Sequence, residues 1–386
     1  MIYLDNAATT YPKPNIVQRA VSNAFSYSAN PGRAGHKLSL KASEEIFNTR
    51  QKICKLLSFE NPEKVILTPS CTVALNTVIK GILKKGDHAV ISSLEHNSVL
   101  RPIQKLADAG FITYDVAEVF EGNDDRTLDS FRKAFKDKTK LCICTHASNV
   151  FGIKLPISKL SALCHFYNIL FCVDASQTAG VVNINTEEID ADYICAPGHK
   201  GLYGPMGTGF LVINCEHPLD SLIEGGTGSG SSKFVQPDML PDKFESGTLN
   251  LPGFAGLSVG IDFVLHKGIN NIYDHEMKLI QYLYDSLSEI KGVKLYTKRP
   301  NVSAHVPLLS FSVNDMDCDV VSEHLSNKYG IALRSGLHCS PLAHKYMGSD
   351  NIGTIRVSPS IFSNKQGINA LINCIYTINI GKKISF

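Results

Sequence analysis

No apolar run in the chain is long enough to span a bilayer, which excludes a helical membrane protein. Nothing near Met1 has the basic-then-apolar form of a signal peptide. Neither charge is in excess, with 38 Lys plus Arg against 36 Asp plus Glu. That balance gives no electrostatic case for binding nucleic acid or an anionic membrane. The Gly/Ser run at 225–232 lacks the Gly-Lys-Ser/Thr wording of a nucleotide phosphate loop and reads as a surface loop. Paired cysteines with zinc-like spacing are also missing, so no metal is expected. The 11 cysteines are odd in number, scattered and often inside apolar runs, unlike a disulfide framework. They point to reduced thiols and a cytoplasmic protein. Cys142 and Cys144, two apart on one strand, read as core.

What remains is ordinary globular material. The chain has 386 residues, 44% hydrophobic and 19% charged, enough for two domains or one large one with an appendage. From residue 64 short apolar runs alternate with helical periodicity: strands near 65–67, 89–91, 111–116, 141–144 and 169–173, helices near 72–83, 99–109, 128–135 and 157–167. This pattern predicts an α/β fold with a mostly parallel sheet covered on both faces. Ligands on such sheets bind at the carboxyl ends of the strands. Long helical tracts follow Pro252 and Ile272, then a β-α-β stretch over 308–333, a strand at 354–357 and a last helix from 365. The domain change is placed near residue 262. The large domain then covers 16–262, and 1–15 with 263–386 form a small domain carrying a cysteine loop.

Three stretches after apolar runs carry chemistry. Lys200 lies in a Gly/Pro-rich loop, 196–205, whose backbone lets a bulky group come close. Asp174 ends the run Cys172-Val173-Asp174, where an unpaired carboxylate would be costly and a cationic partner would remove the cost. A helix cap is the plainer reading of that position. Thr72, with Cys71, opens a helix whose amides could cradle a phosphate, or serve as an ordinary cap. Cys339 stands beside His338 and near Arg334. A thiolate is the competent form of such a nucleophile, and cationic neighbours favour it.

In these stretches, and in Tyr3–Thr10, Glu95-His96-Asn97, 148–152, 174–177, 198–200, 244–248, 334–339 and 356–358, the chain resembles the cysteine desulfurase family of the class V aminotransferase superfamily. The likeness covers nearly the whole chain and lies closest to the second desulfurase group and the selenocysteine lyases. It implies the fold type I architecture of pyridoxal-phosphate (PLP) transferases, a seven-stranded sheet between helices plus a smaller α+β C-terminal domain. It implies that Lys200 holds PLP covalently, that Asp174 faces the pyridine nitrogen and that His96 stacks on the ring and moves protons. Gln177 would bond the ring hydroxyl, and Asn149 would lie beside cofactor and substrate. Cys71, Thr72 and His199 would hold the phosphate, with Thr248 reaching it from the other subunit of a homodimer. Arg356 would clamp the substrate carboxylate, Arg334 would position the substrate, and Cys339 would accept sulfur as L-cysteine becomes L-alanine. Arg33 and His36 match a loop that family members place near the partner subunit's site. L-Selenocysteine is an alternative substrate, and a protein that takes the sulfur onward, as in iron–sulfur cluster assembly, is an implied partner.

The chain departs from the family at Cys71, Val73 and Pro197. Two hydroxyl donors to phosphate are thereby missing, with Thr227 and Ser229 as candidate replacements. Two other readings compete. A selenocysteine lyase or other class V enzyme would not need the Cys339 thiol, and a PLP-fold binding partner in sulfur trafficking would not need Lys200, Asp174 and Cys339 together.

Overall fold

The computed structural model describes residues 1–31, 35–314 and 316–381. Arg33 lies outside the described residues. The chain opens with β1 (Ile2–Tyr3), α1 (Asn15–Ala24) and α2 (Lys37–Leu57). Alternation then begins with β2 (Val65–Thr68), α3 (Cys71–Ile82), β3 (His88–Ser92), α4 (Asn97–Asp108), β4 (Thr113–Ala117) and α5 (Asp124–Ala134). It continues through β5 (Thr139–Thr145), α6 (Ile157–Phe166), β6 (Leu170–Asp174), α7 (Thr186–Ile189), β7 (Tyr193–Pro197) and β8 (Gly209–Ile213). Two long helices follow, α8 (Leu251–Lys267) and α9 (Ile269–Ser288). The last part holds β9 (Val293–Leu295), β10 (Leu309–Val313), α10 (Cys318–Tyr329), β11 (Ile331–Ala332), β12 (Arg334–Gly336), α11 (Pro341–Met347), β13 (Thr354–Val357) and α12 (Lys365–Gly381). None of the described helices is long and apolar enough to cross a membrane.

The seven-stranded sheet has the order β2-β8-β7-β6-β5-β3-β4. Strands β7, β6, β5, β3 and β4 pair in parallel, and β8 runs antiparallel to both its neighbours. The mostly parallel α/β prediction therefore holds, with β8 added as a return strand. Side chains alternate across the sheet with period two. Val90, Cys142, Phe171 and Val173 pack on one face, while Ala89, Ile91, Leu141, Ile143 and Cys172 pack on the other. Both faces are dry, so the strands read as continuous apolar runs.

The second sheet is antiparallel, in the order β12-β13-β10-β9, and packs on α9, α10 and α12 through its own core around Phe311, Leu325 and Ile375. Strand β1 pairs in parallel with β11, Ile2 opposite Ile331, so the first residues are held by the last part of the chain.

Candidate active site

The parallel strands deliver four polar residues to their carboxyl ends: His96 after β3, Thr145 closing β5, Asp174 closing β6, and Lys200 just beyond β7. The Lys200 loop is pinned from the far end of the sequence. The His199 carbonyl accepts from the Thr9 and Thr10 hydroxyls at 3.1 and 3.2 Å and from Lys13 Nζ at 2.6 Å. Thr10 Oγ1 also reaches the Lys200 carbonyl at 3.1 Å. That is what the Thr9-Thr10 pair does in this fold. Gly201 permits the close turn, since a Cβ there would stand 2.5 Å from the Ala179 carbonyl oxygen.

Lys200 is half-buried at the edge of a pocket, and its amine forms no hydrogen bond or ion pair with any described residue. Burial lowers its pKa; the Asp174 carboxylate opposes that, and Arg356 and Arg334 add to it. Asp174 is 2% exposed. Its Oδ1 accepts from Ser176 N–H at 2.9 Å and from the Cys71 thiol at 3.5 Å, and the Ser176 hydroxyl donates to Cys71 Sγ at 3.2 Å. Cys71 thus turns its side chain to Asp174, leaving its backbone amide at the start of α3 for an anion. Ser70 caps that helix by accepting from Val73 N–H.

His96 caps α4, accepting at Nδ1 from Ser98 N–H at 3.1 Å, with the Ser98 hydroxyl 3.0 Å away. The same hydroxyl lies 2.8 Å from Thr72 Oγ1, so Ser98 joins Thr72 to His96. Sequence reasoning missed Ser98, because an ordinary helix-start serine carries no signal of its own. Burial, reinforced by Lys200, pushes His96 down to about 4, which leaves it neutral and able to accept a proton. His199 is likewise pushed to about 4, and its buried Nδ1 has no partner. Gln177 Nε2 donates to the Ala7 carbonyl at 3.2 Å. Thr227 and Ser229 pair hydroxyl to hydroxyl at 3.2 Å. Thr248 is exposed, on a loop anchored by Glu245, which pairs with buried Arg50 and accepts from Leu67 N–H at 2.7 Å. His36 caps α2 through Ser39 N–H.

The second sheet brings in the rest. Arg334 and Arg356 are register partners across β12 and β13. Arg356 is 1% exposed; it pairs with Asp5 at 2.6 Å and donates to the Asn149 carbonyl at 2.8 Å, while its Nε has no partner. Arg334 Nη2 donates to Cys339 Sγ at 3.3 Å. The Cys339 carbonyl accepts from Asn97 N–H at 2.8 Å, which docks the cysteine loop beside His96. Among the 11 cysteines, all free, Cys339 alone is exposed. One expectation is corrected here. His338 is not a cationic neighbour, because burial and Arg356 push it down to about 2 and it stays neutral. Of the two expected cationic neighbours, Arg334 remains, its guanidinium at the thiol.

The residues fit a covalently held pyridoxal phosphate. A half-buried amine without a hydrogen bond lies within electrostatic reach of the buried Asp174 carboxylate, a setting in which a cofactor carbonyl and a cationic ring nitrogen each find a partner. The orphaned His199 Nδ1 and the first amides of α3 suit a phosphate.

Behind this site Glu95 is fully buried. Its Oε1 accepts from the Ser92 hydroxyl and from Thr145 N–H, and its Oε2 has no partner. Burial raises its pKa from 4.5 to about 8. A carboxyl so raised holds its proton more tightly folded than unfolded. Its stabilising effect is complete below the unfolded range and is lost as pH rises through about 8. Glu95→Gln, which cannot ionise, is expected to flatten the fall of Tm across that window. Thermal melts of the cofactor-free proteins check this, and equal pH slopes would contradict it.

The aminotransferase class-V family model matches residues 2–371. A probable cysteine desulfurase of Methanothermobacter thermautotrophicus is 34% identical, over 96% of this chain and 92% of that protein. A probable cysteine desulfurase of Pyrococcus abyssi is 31% identical, over 97% and 93%. The apo structure of a cysteine desulfurase from Thermococcus onnurineus NA1 superposes with a TM-score of 0.89 at 29% identity, covering 98% of this chain and 95% of that one.

Proposed function

The chain belongs to the aminotransferase class-V family and, within it, to the pyridoxal-phosphate-dependent cysteine desulfurases, and from that premise we propose that it converts L-cysteine to L-alanine with Cys339 as the sulfur acceptor. The observation that carries the proposal is the exposed Cys339 thiol, beside Arg334 and docked against the start of the helix that His96 caps. When bound, the cofactor supplies an electron sink that loosens bonds at the substrate's α- and β-carbons. Lys200 would hold it and move the α-proton, with neutral His96 as a second proton carrier. Asp174 would keep the ring nitrogen protonated. Arg356, with its unpartnered Nε, takes the substrate carboxylate. The Cys339 thiolate attacks the substrate sulfur. A sulfur–sulfur bond forms, the carbon–sulfur bond breaks, and its electron pair stays on the carbon skeleton, which takes up protons to become alanine. The enzyme is left as a persulfide on Cys339, ready for a protein acceptor. Equal yields of alanine and Cys339-bound sulfur from L-cysteine test the reading, and sulfide release with Cys339 unmodified counts against it.

We further propose a large domain over 16–262, a small domain from 1–15 and 263–386, and a cytoplasmic homodimer. Exposed Thr248 then completes the phosphate site of the other subunit. Cofactor retention and dimerisation should be linked. Thr248→Ala is expected to weaken PLP binding severalfold, and dilution to monomer to release the cofactor. Sedimentation of a monomer that retains PLP at low concentration would defeat the dimer proposal.

A further inference from the structure

Ser340 occupies a helix N-cap position, where a serine hydroxyl ordinarily accepts from a first-turn amide. It precedes α11 yet caps nothing there. Its hydroxyl donates instead to Asn149 Oδ1 at 2.6 Å, between two buried residues. Asn149 Nδ2 donates in turn to the His338 carbonyl at 2.8 Å. One amide side chain therefore grips the residues on both sides of Cys339. Its orientation is fixed, because a carbonyl can only accept. The loop requires such a grip. His338 and Cys339 are both left-handed, with φ of +51° and +58°. Consecutive non-glycine residues in that region are strained and persist only where their surroundings hold them.

The geometry points to Ser340 as a positioning residue for sulfur transfer: acting through Asn149, it fixes the loop that keeps Cys339 Sγ beside Arg334. The inference rests on Cys339 being the sulfur acceptor. No other described residue donates to Asn149 Oδ1, so the Ser340 hydroxyl has no understudy. The Asn149 carbonyl meanwhile accepts from Arg356 Nη1 at 2.8 Å. The same residue thus ties the acceptor loop to the arginine proposed for the substrate carboxylate.

Ser340→Ala in the holoenzyme tests this. Amide exchange over residues 336–342 is expected to quicken about tenfold while β5 and β6 keep their protection. The kcat for L-cysteine is expected to fall about tenfold with KM within about twofold, because a misplaced nucleophile slows transfer and not binding. In an Asn149→Ala background, Ser340→Ala should change loop exchange no further, since both act through one hydrogen bond. Unchanged loop exchange, or an equal additional effect in the Asn149→Ala background, overturns the inference. Failure of the acceptor reading looks different: Cys339→Ser would still form alanine even where loop exchange behaves as expected.

Discussion

Cys339→Ser should lose L-cysteine turnover by on the order of 10³-fold or more, the scale seen when a nucleophile is removed, while the purified protein stays yellow with bound cofactor. The thiol is the exposed cysteine of the chain, and the guanidinium of Arg334 lies 3.3 Å from its sulfur. A serine hydroxyl is not ionised at neutral pH and forms no stable bond to sulfur, so the substrate would bind and stop. His338 cannot compensate, because its imidazole is neutral and its Nδ1 is buried without a partner. Activity with L-selenocysteine should fall much less, since selenium leaves more readily than sulfur. Alanine and sulfide are measured for both substrates on wild type and variant. Near wild-type turnover of L-cysteine by Cys339→Ser would sink the persulfide route and favour an eliminating lyase.

Most residues gathered at this candidate site stand out in the sequence, Ser98 excepted; their mutual contacts do not. Lys200, Asp174 and His96 follow apolar runs, and in a parallel sheet the ends of such runs meet. Strand β8 is different. Its five residues are as apolar as any of the parallel strands, but nothing in Gly209–Ile213 encodes that it returns antiparallel between β2 and β7. Strand β12 is polar and glycine-containing, and exists because Arg334–Gly336 pair with β13, so tertiary pairing outweighs local preference. The cationic role expected of His338 came from its place next to Cys339 in the chain. Burial, invisible in that adjacency, reverses it. Thr9, Thr10 and Lys13 converge on the His199 carbonyl across more than 180 positions, a contact with no periodic signature.

Lys200→Ala should abolish the covalent link to pyridoxal phosphate and lower L-cysteine turnover by at least the ~10²–10⁴-fold that a positioned proton carrier contributes. Borohydride treatment followed by peptide mapping reads the link directly. In wild type the pyridoxyl group should map to Lys200, and in the variant to no lysine. The competing candidate is Lys13, whose half-buried amine is pushed down to about 8 by burial. That amine is already spent, donating to Thr10 Oγ1 and to the His199 carbonyl, each at 2.6 Å. The Lys200 amine has no hydrogen-bond partner among the described residues, and burial, with Arg356 and Arg334, lowers its pKa. A half-buried cation without a hydrogen bond is not a stabilising contact. The cofactor-free Lys200→Ala protein should therefore melt no lower than cofactor-free wild type, although it is inactive. A lower melting temperature would mean that Lys200 holds the fold as well as the cofactor, and pyridoxyl recovered on Lys13 would move the assignment itself.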